Sequence, residues 1–165
     1  MKLVFDCSSA LWTCLSVGVD PKGKQVEGED GKPFQVNTAD YGYDALLNHM
    51  TFVMGEVGAT PIDVVLVFEG LNSKARRLML DRDYKKDSTV RPIEAYEQFE
   101  LLKAKLKRNF KALGAICLSQ NGVEADDVIG WIADNAKETT VISSNDSDLS
   151  VLRCVNKFGA MIHTR

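Results

Sequence analysis

The chain has 165 residues, 45% of them hydrophobic and 26% charged, the proportions of a single globular domain with its own core. No apolar run approaches the roughly 18 residues a membrane span needs. Met1-Lys2-Leu3-Val4-Phe5-Asp6 meets an acid too early for a secretory signal, so a cytoplasmic protein with no membrane partner is expected.

Residues 2–5 form a short apolar run that ends at Asp6 and reads as a buried strand. Ser8 or Ser9 is then expected to cap a helix through about Val17. Residues 18–37 are rich in Gly, Lys, Asp and Glu, with two prolines, and read as a loop with a β-ribbon around Gly28 to Gly31. From 40 to 58, Leu46, Leu47, Met50, Val53, Met54 and Val57 recur at helical spacing, and Gly58 stops the run. Asp63 to Phe68 is the strongest strand. It is apolar on both faces, as a central parallel strand must be, and it ends at Glu69-Gly70.

Residues 71–92 are polar and basic, with a helix expected around Lys74 to Leu80 and an exposed loop from Asp81 to Pro92. Residues 93–113 give a long amphipathic helix, with Tyr96, Phe99, Leu102, Leu106, Phe110 and Leu113 in its stripe and Gly114 at its end. A third strand runs from Ala115 to Leu118. A helix entered through Asn121 and Gly122 follows to about Ala136, with Val128, Trp131 and Ile132 as its apolar stripe. Thr139 to Ser143 is a fourth strand, then comes a short helix around Leu149 to Leu152, and a last strand runs from Val155 to His163. This alternation predicts an α/β fold: a mostly parallel twisted central sheet with helices on both faces.

Four cysteines (Cys7, Cys14, Cys117, Cys154) show no metal-site spacing. Three lie in apolar runs and are expected as buried free thiols. The net charge of −3 is unevenly spread: residues 74–111 hold 12 Lys and Arg against 6 Asp and Glu, and the remainder holds 8 against 17. A basic island beside an acidic remainder suits a protein that grips a polyanion and holds cations elsewhere. The plain alternative is a solvated face of long side chains.

Ligands of an open parallel sheet bind beyond the carboxyl ends of its strands. Asp6, Glu69, Glu124, Asp126, Asp127, Asp146 and Asp148 all fall there, behind four different strands. Each has an ordinary explanation: a helix cap, a turn, or an acid suited to the helix dipole. Jointly they predict a rim of carboxylates that needs neutralising cations. With oxygen donors alone the cation is Mg²⁺ or Mn²⁺. His49 and His163 fall elsewhere, so zinc is not expected. Two such ions would activate water and stabilise a leaving oxygen in phosphodiester hydrolysis, and Arg76, Arg77, Lys85, Lys86 and Arg91 would clamp phosphates.

Gly-Val-Glu-Ala-Asp-Asp-Val-Ile-Gly at 122–130 resembles the signature of the 5′-nuclease superfamily, which includes phage flap endonucleases and the 5′-nuclease domain of bacterial DNA polymerase I. Leu-Val-Phe-Asp at 3–6 is similar to its first strand and metal aspartate, and Ser-Asn-Asp-Ser-Asp-Leu at 144–149 to its Gly-Asp-x-Asp-Leu. Glu69 stands where the family usually has Asp. Arg77 and Asp81-Arg82-Asp83-Tyr84-Lys85 resemble the basic helical gateway, although Ser88 stands where an arginine is common.

The resemblance implies a PIN-like 5′→3′ exonuclease or flap endonuclease core acting on DNA with Mg²⁺ or Mn²⁺. It implies the seven acids as metal ligands, Lys85 and Arg77 at the scissile phosphate, and Tyr84, Lys86, Arg76 and Arg91 on substrate. It further implies that residues 1–165 are one catalytic domain. The family's carboxy-terminal helix–three-turn–helix half would be absent, with a separate subunit carrying it as a partner. Two alternatives stay open: a non-catalytic nucleic-acid-binding or docking module on the same fold, and a PIN-type ribonuclease. A haloacid-dehalogenase-type phosphatase would want Asp-x-Asp after the first strand, where the chain has Asp6-Cys7-Ser8.

Overall fold

Strands that are apolar on both faces must be covered on both sides, and this requirement organises the molecule. The computed structural model describes residues 1–18, 20–27, 31–83 and 91–165. A six-stranded sheet runs β5-β4-β1-β6-β8-β7, built from β1 (Lys2–Asp6), β4 (Val64–Val67), β5 (Ile116–Leu118), β6 (Thr140–Ser143), β7 (Cys154–Val155) and β8 (Met161–Thr164). All neighbouring pairs are parallel except β7 with β8. The expected last strand from Val155 to His163 is therefore two short strands closing a hairpin.

Alternate residues point to opposite faces, so each strand feeds two cores. Leu3, Phe5, Val64, Leu66 and Phe68 pack under α1 (Cys7–Ser16), α2 (Ala39–Val57) and α4 (Ile93–Ala112). Val4, Val65, Val67, Ile142 and Ile162 pack under α5 (Ala125–Asn135) and a 3₁₀ segment, Ser147–Leu152. The α/β architecture with helices on both faces is thus as expected. No described helix is long and apolar enough to cross a membrane.

Several local expectations shift. Asp6, rather than Ser8 or Ser9, caps α1, its carboxylate accepting from the Ser8 N–H. The ribbon is made of β2 (Lys24–Glu27) and β3 (Pro33–Val36), antiparallel strands that flank the expected stretch. Gly58 ends α2 in the left-handed conformation (φ 68°), which glycine adopts without strain. In α4 the buried stripe is Ala95, Leu102, Leu106 and Phe110, while Tyr96 and Leu113 are exposed.

The helix expected from Gly122 starts at Ala125, with Glu124 as its cap. Its buried face is Ala125, Ile129 and Ala133, and Trp131, expected inside, is 67% exposed. Trp131, two residues from both Ile129 and Ala133, falls on the side of α5 turned away from that face. Of the cysteines, Cys7 is buried, Cys14 and Cys117 are half-buried and Cys154 is exposed; all four are free.

Candidate functional site

The parallel strands β4, β1 and β6 are adjacent, so the segments that follow them meet at one rim. Asp6, the last residue of β1, is only 4% exposed. Its Oδ1 accepts from the Ser8 N–H at 3.1 Å and its Oδ2 from the Ser144 hydroxyl at 2.8 Å. Ser144 follows β6, and its oxygen also accepts from the Asp146 N–H at 2.9 Å. Asp146 in turn caps the 3₁₀ segment, accepting from the Asp148 N–H at 2.9 Å. Ser144 thus couples the ends of β1 and β6. A cavity of about 330 Å³ opens beside Asp146, walled by Ser144, Asn145, Ser147, Ser150 and Arg165 among others.

On the other side of β1, the Glu69 N–H donates to the Ser8 hydroxyl at 3.0 Å, and Glu69 Oε2 accepts from the Ala125 N–H at 3.3 Å. The backbone there is pressed tight. The Gly122 N–H donates to the Leu71 carbonyl at 2.8 Å, and a Cβ on Gly70 would sit 1.7 Å from the Gln120 carbonyl oxygen. Only a residue without a side chain lets the segments after β4 and β5 close this way, which brings Glu69 to the head of α5.

Glu124 is 1% exposed. The guanidinium of Arg77, on α3 (Ala75–Leu80), reaches it from Nε at 2.7 Å and reaches Asp127 from Nη2 at 2.8 Å. One arginine thus spans Glu124 and Asp127, three residues apart at the head of α5. Asp126 lies half-buried in the first turn of α5.

All seven predicted acids lie at or beyond the carboxyl ends of the strands; Ser144 links Asp6 to Asp146, and Arg77 links Glu124 to Asp127. Among the described residues no three are gathered closely enough to hold one metal ion. Their all-carboxylate chemistry fits a hard divalent cation. The Arg77 bridge, with two acids around one guanidinium, does not fit a cation at that same place.

Among the residues predicted to contact substrate, Tyr84, Lys85 and Lys86 lie outside the described residues, as does the side chain of Arg76. Arg91 lies 4.2 Å over the ring of Trp12, whose indole stacks on Phe99 at 4.3 Å and meets Tyr96 edge-on at 5.3 Å. Sequence reasoning missed Ser8, Ser144 and Lys107. The Lys107 ammonium lies 4.4 Å over the ring of Phe68, the residue before Glu69 in the chain, and burial pushes its pKa down. Burial, with the Asp6 charge beside it, pushes the Cys7 thiol well up, so it stays protonated and inert. The position of Ser144, one residue past an apolar strand, was the one available signal for it.

A family model described as the 5′-3′ exonuclease, N-terminal resolvase-like domain matches residues 30–162. A DNA polymerase I from Rhizobium leguminosarum is 32% identical over 100 residues, which cover 59% of this chain and 9% of that protein.

Proposed function

Because the chain belongs to the 5′-3′ exonuclease N-terminal, resolvase-like domain family, we propose that it is a divalent-metal-dependent 5′ nuclease core that hydrolyses DNA phosphodiester bonds from 5′ ends or flaps. One observation carries the reading: two nearly solvent-free carboxylates, Asp6 and Glu124, stand at the carboxyl side of the parallel strands of one sheet. Burying carboxylates is costly and is tolerated where a countercharge belongs.

Asp6, Glu69, Glu124, Asp126, Asp127, Asp146 and Asp148 would hold Mg²⁺ or Mn²⁺. When bound, the ions supply water activation and charge stabilisation. Ser144 and Ser8 keep Asp6 and Glu69 in register. Lys85 and Arg77 contact the scissile phosphate, and Tyr84, Lys86, Arg76 and Arg91 hold the strand, the tyrosine by stacking. DNA is the partner, in the cytoplasm.

The Arg77 bridge favours a second reading, in which the acids serve structure and the domain binds nucleic acid without cutting it. Cleavage of a 5′-flap DNA in Mn²⁺, with and without Asp6→Asn, separates the two. The nuclease reading expects cleavage by the parent and a loss of at least about 100-fold in Asp6→Asn. Salt-sensitive DNA retention with no cleavage, also after a carboxy-terminal half is added, supports the binding module. Cleavage of an RNA flap in preference to DNA points instead to a PIN-type ribonuclease.

A further inference from the structure

A guanidinium and three aromatic rings meet where the chain enters α4. Trp12 of α1 is half-buried; Phe99 of α4 stacks on it at 4.3 Å, and Tyr96, 44% exposed, meets it edge-on at 5.3 Å. Arg91, just ahead of α4, is also half-buried and lies 4.2 Å over the indole. Pro92 follows it and restricts its backbone to extended conformations. Among the described residues neither a carboxylate nor a carbonyl accepts from its N–H groups. Attraction to a ring face needs no hydrogen-bond acceptor, so the donors of the guanidinium stay available for an anion. We infer that Trp12 is a positioning residue for Arg91: it holds the guanidinium ready for one phosphate of a single strand that runs away from the acid rim.

This rests on the nucleic-acid reading above and on no metal ion. Asp6 caps α1 and Trp12 lies in its second turn, about 9 Å further along the axis at 1.5 Å per residue. A strand spends about 3.4 Å of axis on each phosphate. Arg91 therefore serves a phosphate roughly two or three nucleotides from the one nearest Asp6, and its part is grip rather than chemistry. An arginine loose in solvent gives up rotamer freedom when it binds. One stacked on an indole has already given up much of it in folding, and so binds at lower cost. If the stack served only to join α1 to α4, the guanidinium would add nothing to the hold on a strand.

The test is binding of a short fluorescent oligothymidine in EDTA over a range of salt, for the parent, Arg91→Ala, Trp12→Leu, Trp12→Phe and Arg91→Ala combined with Trp12→Leu. Arg91→Ala should weaken binding by about 10-fold and flatten the salt slope by about 0.7, the share of one phosphate on a single strand. Trp12→Leu removes no charge, yet should reproduce most of the lost affinity. Trp12→Phe keeps a ring under the guanidinium and should restore it. The combined variant should lose no more than Arg91→Ala alone. A second measurement leaves the stack whole. The chain has two tryptophans, so in Trp131→Phe the emission comes from Trp12; it should change when oligothymidine binds, and stay constant once Arg91→Ala is added. Losses that add in full, or an emission change that survives Arg91→Ala, would mean that the strand meets the indole directly, and would overturn the positioning role. Parent-like binding by Arg91→Ala, or by a folded Trp12→Leu, overturns it as well, while the nucleic-acid reading stands. If the parent itself retains no oligothymidine, that reading fails and this inference with it.

Discussion

The Ser144 hydroxyl donates to Asp6 Oδ2 at 2.8 Å and accepts from the Asp146 N–H at 2.9 Å, one oxygen serving two acids from different strands. Asp6 has almost no water to replace that donor. Ser144→Ala should therefore cost about 1–3 kcal/mol of unfolding free energy and weaken Mn²⁺ binding. Ser144→Thr, which keeps the hydroxyl, should restore both. Urea unfolding with a parallel Mn²⁺ titration checks this. Parent-like binding by Ser144→Ala would show that Asp6 needs no such support.

Gly70 carries the closest approach in the rim. Any Cβ there meets the Gln120 carbonyl at 1.7 Å, a backbone atom that cannot swing aside. Gly70→Ala should separate the segments after β4 and β5 and pull Glu69 from the Ala125 N–H. A loss of about 1–3 kcal/mol or more is expected, with flap cleavage falling further than stability alone explains. Thermal unfolding and cleavage on the same preparation distinguish the two effects.

The two faces of α4 should respond unequally. Leu106 is fully buried and Leu101 is 59% exposed. Leu106→Ala should cost about 2–5 kcal/mol, and Leu101→Ala should stay within about 0.5 kcal/mol of the parent. Denaturant midpoints of the two variants decide it.

Asp20 provides a pH signature away from the rim. Its carboxylate accepts from the Thr38 hydroxyl at 2.6 Å and from the N–H groups of Thr38 and Lys22, both at 2.8 Å. The Thr38 hydroxyl foremost, with these backbone donors, lowers its pKa. A carboxyl lowered in the native state stabilises the fold above its unfolded pKa, near 3.9 for Asp. That contribution disappears as pH falls through the lower native value. Asp20→Asn should thus be less stable than the parent at pH 7, and the gap should narrow below about pH 4. A gap that is unchanged at pH 3 would count against this account.

Much of this fold is readable from single residues. Val64 to Val67 are all buried, and a run without a polar face has no other place to go. Leu102, Leu106 and Phe110 step by four along α4 and land inside. Trp131 was misleading because the stripe drawn through Val128 and Ile132 lies to one side of the face that meets the sheet, which is centred on Ile129. The acids were legible as strand-end residues. Their actual partners were not. The Ser144–Asp6 bond spans 138 residues, and Arg77 meets Asp127 across 50; no local pattern encodes such pairings. Glu69 departs from the usual Asp, yet its longer arm reaches the Ala125 N–H, a use that only the closed backbone at Gly70 makes intelligible.

β1 is made first and ends up in the middle of the sheet, with β4 on one side and β6 on the other. Its second neighbour, β6, begins only at Thr140. A nascent chain halted before Thr140 has Asp6 on an open edge and no serine to hold it. The acid rim is therefore incomplete until β6 has paired with β1 and brought Ser144 to Asp6.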